Sequence, residues 1–426
     1  MRYKAEIFDE FQYVYESTGF SDHQVHCIIS FESKVNAEAM KKAAQLLIKT
    51  VPILSRTYKD HGGKSCWVDE NASNFGELFA IANNRADFDN FTASRTEEAI
   101  GPQIKFCLFR DETDTLSVVI NHMVSDAAGF KQCMYLFSDI YSKLVNNPDY
   151  APDFVIDGYR GFKGTFYKLS CLERIKLLLF GRKDNNQKSI CEFPMSRSEE
   201  QTPFIASHEI SSETYRNIQS CCKSCGVTVN DIILTAYFRA LAELLDMKGK
   251  LLAVPIMIDM RRYLKDKSFR ALTNLSSTTI VRITVSPDED FFETLSRVSA
   301  EMKEKKANHL GLNTFIKLDA GFGIPLINAY RIMAKALKHP KISMTNIGVI
   351  DSSKLVFAKS KVTNAVMFAS IKYRPHFQMS VTSFNDKMTF GAGLYGTERD
   401  RAKFESFYGL MDKELECFNS LAASKT

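Results

Sequence analysis

The chain has 426 residues, 45% of them hydrophobic and 25% charged, with a formal net charge of +5. That length exceeds one ordinary core and fits two units of about 200 residues each. A charge this mild argues against nucleic acid as a partner. The opening MRYKAEIFDEFQ lacks the apolar stretch of a secretion signal. The densest apolar cluster, IKLLLF at 175–180, falls well short of the ~18 residues that cross a bilayer. Ten cysteines in such a chain read as reduced thiols, and a cytoplasmic protein is expected.

In chain order the first half reads as α/β. QVHCIISFES (24–33) has the β-branched content of a strand. VNAEAMKKAAQLLIKTV (35–51) carries a helical apolar stripe at Ala39, Ala43, Leu46 and Leu47. A hairpin turning at Gly62-Gly63 is expected next, then a second hairpin over PQIKFCLFRDETDTLSVVINH with its turn at 111–115. The helix AGFKQCMYLFSDIYSKLV follows and stops before NNPDYAP.

Composition changes over 151–205, which is rich in Pro, Gly and basic residues. The division drawn is a first half at 1–160, a basic amphipathic linker at 161–205 and a second half at 206–426. Around the linker's apolar stripe stand Lys163, Lys168, Arg174, Lys176, Arg182 and Lys183. Peripheral contact of 163–183 with an anionic membrane, or with an anionic carrier protein, is one reading. The other is a solvated helix packed on its own protein.

The second half predicts two helices broken at Gly226, the second capped by Thr228 or Asn230. Strands are expected over 250–260 and 276–285, and a charged helix over FFETLSRVSAEMKEKKANH. After it come a Gly/Pro-marked helix (321–338), KISMTNIGVID, NAVMFASIKY, a hairpin turning at Asn385-Asp386 and a terminal helix.

Most apparent motifs dissolve on reading. HGGKS lacks the glycine of a phosphate loop, since position 58 is Tyr58. Cys221, Cys222 and Cys225 form C-C-x-x-C with no second pair at zinc spacing, so no metal site is expected. No nucleophile elbow is present. What remains is VVINHMVSDAAGF, residues 118–130. His122 ends a strand that should be buried, and Asp126 stands at a helix start. Asp126 as an N-cap beside a satisfied strand-end histidine is one account. A catalytic histidine beside a buried carboxylate that needs a cation is the other. VPIMIDMRRYL (254–264) offers arginines at a strand end to meet that carboxylate from the other half.

These residues resemble the chloramphenicol-acetyltransferase-like acyltransferases that carry two half-domains in one chain. That superfamily includes condensation domains, alcohol O-acetyltransferases, plant acyltransferases and wax ester synthases. Its signature, H-H-x-x-x-D-G, is similar to NHMVSDA here, and further segments follow in the same order over nearly the whole chain. The resemblance implies an α/β (α+β sandwich) fold, two half-domains forming a pseudo-dimer around a central tunnel. It implies His122 as general base, moving an acyl group from a thioester to a hydroxyl or amine. It implies a structural salt bridge from Asp126 to Arg261, chosen over Arg262 because Asp259-Met260-Arg261 matches the partner pattern.

Acyl-CoA or an acyl-carrier thioester is implied as co-substrate, with no bound cofactor. A small-molecule or lipid-like acceptor, a possible carrier protein and a monomeric state are expected. Ser276 and Asn346, at strand ends, are candidates for oxyanion or acceptor contacts. Asn121 replaces the signature's first histidine and Ala127 its glycine, with Gly129 supplying a small residue two positions on. Without further synthetase domains, a stand-alone acyl-CoA-dependent enzyme is favoured over a stand-alone condensation-type enzyme or a silent binding module.

Overall fold

The computed structural model describes all residues except 61–64, 70–77, 181–190, 199, 321–339 and 424–426. Two large sheets, each with its own core, make up the molecule. The first has five strands in the order Val362–Phe368, Gln24–Phe31, Asp114–Asn121, Ile104–Arg110, Phe79–Ala82. Helices Ala37–Thr50 and Ala127–Asn146 supply the apolar side chains that pack with it. The second has six strands, in the order Ser276–Thr284, Leu251–Asp259, Ile342–Ile350, Phe377–Phe384, Lys387–Gly396, Thr202–Ile210. Helices Ser212–Cys225, Val229–Leu244, Phe291–Ala307 and Glu398–Ala423 surround its core. A small sheet joins Arg2–Lys4, Cys66–Val68 and Thr57–Lys59. This is the expected mixed α/β class.

Local rules account for most element ends. Asn36 caps its helix by accepting from the Ala39 amide at 3.1 Å. Thr228, rather than Asn230, caps Val229–Leu244, in a capping box with Asp231. Gly226 closes the preceding helix at φ 65°, the left-handed conformation that glycine adopts without a Cβ penalty. The buried face of Ala37–Thr50 is Met40, Ala43, Ala44, Leu47 and Ile48, rotated slightly from the expected stripe. Ala39 and Leu46 sit at its margins because alanine and leucine alternate too densely for spacing alone to choose the centre.

Strand Thr202–Ile210 begins inside the segment read as linker and forms the edge of the six-stranded sheet. Strand Val362–Phe368 lies far along the second half, yet it pairs antiparallel with Gln24–Phe31 of the first sheet. The second half therefore lends one strand to the first sheet. The Gly62-Gly63 turn and the expected helix at 321–338 lie outside the described residues, although the strands flanking that turn do pair antiparallel. No helix among the described residues is long and apolar enough to cross a membrane.

Candidate active site

His122 follows directly on strand Asp114–Asn121, whose pairing with Gln24–Phe31 carries it to the boundary between the two cores. Its amide donates to the carbonyl of His23 at 2.7 Å. His23 holds φ 43°, an uncommon conformation for a side chain of its size. The His23 ring is fully buried between carboxylates, with Nδ1 3.1 Å from Glu16 and Nε2 3.4 Å from Glu98. With the two carboxylates at opposite ring nitrogens, this trio clamps the turn from both sides of the ring.

The turn after His122 is fixed by its neighbours. Asn121, where the resembled signature has histidine, is buried and its side chain braces the turn: Nδ2 donates to Gln103 Oε1 at 3.0 Å and Oδ1 accepts from the Met123 amide at 2.9 Å. Asp126 is the N-cap of helix Ala127–Asn146, accepting from the Gly129 amide at 2.9 Å. Its other oxygen accepts from the Leu275 amide at 2.6 Å and from Arg261 Nη1 at 2.8 Å. Both accounts of Asp126 weighed from the sequence thus describe the same carboxylate, one for each oxygen.

Arg261 also donates to the Thr273 carbonyl at 2.9 Å and to Asp259 at 3.2 Å. Burial alone would raise the Asp126 carboxyl, but the Arg261 charge and the two backbone amides hold it below its ordinary value. A Cβ on Gly129 would come within 3.2 Å of Arg261 Nη2 and 2.7 Å of Ser125 Oγ. The glycine therefore makes room for the guanidinium. Ala127 begins the helix and packs at the margin of the first core.

Two residues that sequence reading missed complete the arrangement. Asn274 faces His122 Nδ1 with its Oδ1 at 3.0 Å, while its Nδ2 donates to the carbonyls of His122 at 2.6 Å and Met123 at 3.1 Å. Since the amide nitrogen is committed to two carbonyls, the atom facing the ring must be the oxygen. An acceptor there places the proton on Nδ1 and leaves the lone pair on Nε2.

Arg160 is the second. It donates to both oxygens of Asp9, at 2.8 and 2.9 Å, to the Leu272 carbonyl at 2.8 Å and to the Met123 carbonyl at 3.3 Å. One buried guanidinium thus ties the N-terminal helix, the His122 turn and the 272–275 segment together. Asn274 lies two residues before Ser276, the candidate that this strand end offers from sequence. Ser276 opens its strand two residues further on, paired with Asp259. Asn346 is engaged elsewhere, with Asn230 at 3.2 Å and with the Gly348 amide of its own bulge at 2.9 Å.

His122 itself is half-buried. Burial pushes its imidazole below the ordinary histidine value, the nearby Asp126 charge opposes that shift, and the Lys372 ammonium adds to it. Lys372 is only 4% exposed. It reaches the site through the segment Ser21–His23: Ser21 bridges to Lys372, Asp22 exchanges hydrogen bonds of 3.0 Å with Ile371, and His23 receives the His122 amide. Its ammonium lies 4.0 Å over the Phe20 ring, and burial pushes it down to about 7. Removing this charge in Lys372→Met is expected to raise the His122 titration. The check is an NMR titration of the His122 ring in both proteins; an unmoved or lowered value would contradict the electrostatic link.

No protein-family model matches the sequence, and no curated protein does either. Solved structures do match in shape. The first condensation domain of the CDA synthetase superposes with a TM-score of 0.68 at 10% identity, covering 97% of this chain and 96% of that one. The fold is that of the condensation domains. An epimerization domain of tyrocidine synthetase B shares this condensation-type fold, with a TM-score of 0.70, 14% identity and coverage of 100% and 99%. So does a trichothecene 15-O-acetyltransferase from Fusarium sporotrichioides, at 0.68, 13% identity and coverage of 98% and 95%. At such identities the likeness is one of fold, and it spans both sheets of the condensation-type chain.

Proposed function

We propose that the chain is an acyltransferase in which His122 is the general base. Nε2 accepts the proton of an acceptor hydroxyl or amine as its oxygen or nitrogen attacks the carbonyl carbon of an acyl thioester. The new C–O or C–N bond forms, the C–S bond breaks, and the proton passes from the imidazole to the departing thiolate. The observation carrying this reading is the Asn274 contact, which holds the neutral ring in the tautomer with a free Nε2. A depressed His122 titration keeps that base unprotonated near neutral pH. Arg261 and Asp126 shape the turn from the far side and touch no substrate in this scheme. Ser276 and Asn346 are proposed as acceptor or oxyanion contacts, Asn346 with a side chain that also bonds Asn230 and the Gly348 amide.

Acyl-CoA is the proposed donor. The condensation-type fold equally suits a carrier-protein thioester, and the neighbours drawn from synthetases favour testing it. The experiment is thiol release from acetyl-, butyryl- and palmitoyl-CoA over a panel of alcohols and amines, repeated with acylated carrier protein. Turnover with either donor supports acyl transfer and names the donor. Absence of turnover with both would overturn it in favour of a silent binding module.

Asn274 is a positioning residue in this scheme. Asn274→Ala is expected to lower kcat roughly tenfold to hundredfold, the equivalent of about 1–3 kcal/mol for a lost buried hydrogen bond. Asn274→Asp should place a negative charge at Nδ1 and shift the acid limb of the pH–rate profile upward. A rate loss without that shift would assign Asn274 to folding alone.

A further inference from the structure

Helix Cys171–Phe180 carries the apolar stripe of the basic segment, and that stripe faces away from the protein. Leu172, Ile175 and Leu179 are 73%, 51% and 67% exposed, and Leu178 stands beside them. Their spacing of three and four residues puts all four on one side of the helix. The opposite side holds it down: Leu177 packs on the second core, and Arg174 donates to the Phe166 carbonyl at 3.2 Å from above the Phe166 ring. The helix is thus amphipathic in the reverse sense from a packed surface helix, with leucines outward. The solvated-helix reading of the sequence does not account for them.

Charge surrounds the stripe. Lys168 and Lys176 are exposed at its flanks, and the exposed Lys317 is carried by the adjoining helix Leu312–Ala320. Lys163 is also exposed, 3.8 Å from Asp319. Glu173, the one acid in the helix, is turned to its N-cap and accepts from the Ser170 amide and hydroxyl at 2.8 and 2.7 Å. Tyr167, 46% exposed, adds an aromatic ring with a polar tip at the same end.

We propose that this face seats the protein on an anionic lipid surface. Exposed leucines at helical spacing, rimmed by lysines and a tyrosine, are what an in-plane interfacial helix presents to headgroups and upper acyl chains. A second copy of the chain suits the face less. A helix of 10 residues is about 15 Å long, too short to supply by itself the ~800 Å² per partner of a stable interface. Attachment here would bring a lipid-like acceptor within reach of the enzyme, but the proposal does not depend on His122.

The test is flotation of the full chain with vesicles of phosphatidylcholine alone and with about 30% phosphatidylglycerol, at low salt and at about 0.5 M salt. Binding is expected to the anionic vesicles, weakened by salt. It should fall at least about tenfold in Leu172→Glu/Leu179→Glu, as expected when two buried aliphatic side chains are lost. Thermal melting and light scattering of that variant establish that it is folded and report its oligomeric state; thiol release stays a separate measurement. Absence of binding to anionic vesicles at low salt would overturn the proposal. So would undiminished binding by the folded double variant, or a dimer that the two substitutions dissociate. Leucine-dependent binding to an acyl carrier protein but not to vesicles would assign the face to that partner and overturn it as well.

Discussion

Replacing His122 with alanine is expected to slow acyl transfer by about 10²–10⁴-fold, the usual contribution of a positioned general base. The loss should fall on kcat and kcat/KM together, because Nε2 acts on the acceptor proton only as the bond forms. Folding should survive, since the ring is half-buried and, among the described residues, its side-chain hydrogen bond goes to Asn274. Asn274 retains its bonds to the two carbonyls in the variant, which keeps the turn in shape. In the parent enzyme activity should fall on the acid side as the imidazole protonates. The depressed titration places that fall below the ordinary histidine value of 6.5. Equal rates for the two proteins with a competent donor would remove His122 as the base.

The second large effect concerns stability. Arg261→Met leaves the Asp126 carboxylate buried without its cation, a change that typically costs about 3–5 kcal/mol. Two backbone amides still hold Asp126, so the lower end is expected. Its sign with pH is specific. In the parent, Arg261 keeps the folded carboxyl below its ordinary value of 3.8, so the stabilisation is present above that value and is lost as pH falls through the folded one. In the variant, burial opposed only by the two amides raises the folded carboxyl above its parent value, and its penalty shrinks on acidification. Denaturation midpoints of both proteins across the acid range should therefore converge. A constant gap would mean that the guanidinium acts by packing and not by charge. Lysine at 261 should recover only part of the loss, because it cannot serve Asp126, Asp259 and the Thr273 carbonyl from one planar fork.

What the sequence disclosed follows from which interactions are local. Asp126 as an N-cap is a three-residue relationship, and Gly226, Thr228 and the Asn385-Asp386 turn are equally short-ranged. An arginine partner was legible for another reason: a carboxylate behind a buried strand requires a cation, and a strand end with two arginines supplies one, although only the family resemblance singled out Arg261 over Arg262. Asn274 was not, since asparagine before a strand ordinarily reads as a turn-former, and its partner lies 152 positions away. Lys372 was hidden in the same way. A lysine in ASIKYRP looks solvated, and it takes bridges to Ser21 and Leu394, distant in sequence, to bury it beside the site. The sheet order itself, with Val362–Phe368 leaving its neighbours in sequence, depends on pairings of more than 300 residues' separation that no periodicity encodes.

That lent strand sets a schedule for synthesis. Strand Gln24–Phe31 pairs with Asp114–Asn121 on one side as soon as the first hairpins form, but its other side waits for Val362–Phe368. For most of translation, then, the nascent chain carries an open, largely apolar edge, the kind of surface that recruits other strands. The early lobe completes its sheet only once Val362–Phe368 has emerged. Severing the chain between the lobes would consequently leave the first sheet a strand short and the second fragment with a strand that has no sheet, which couples the two lobes in spite of their separate cores.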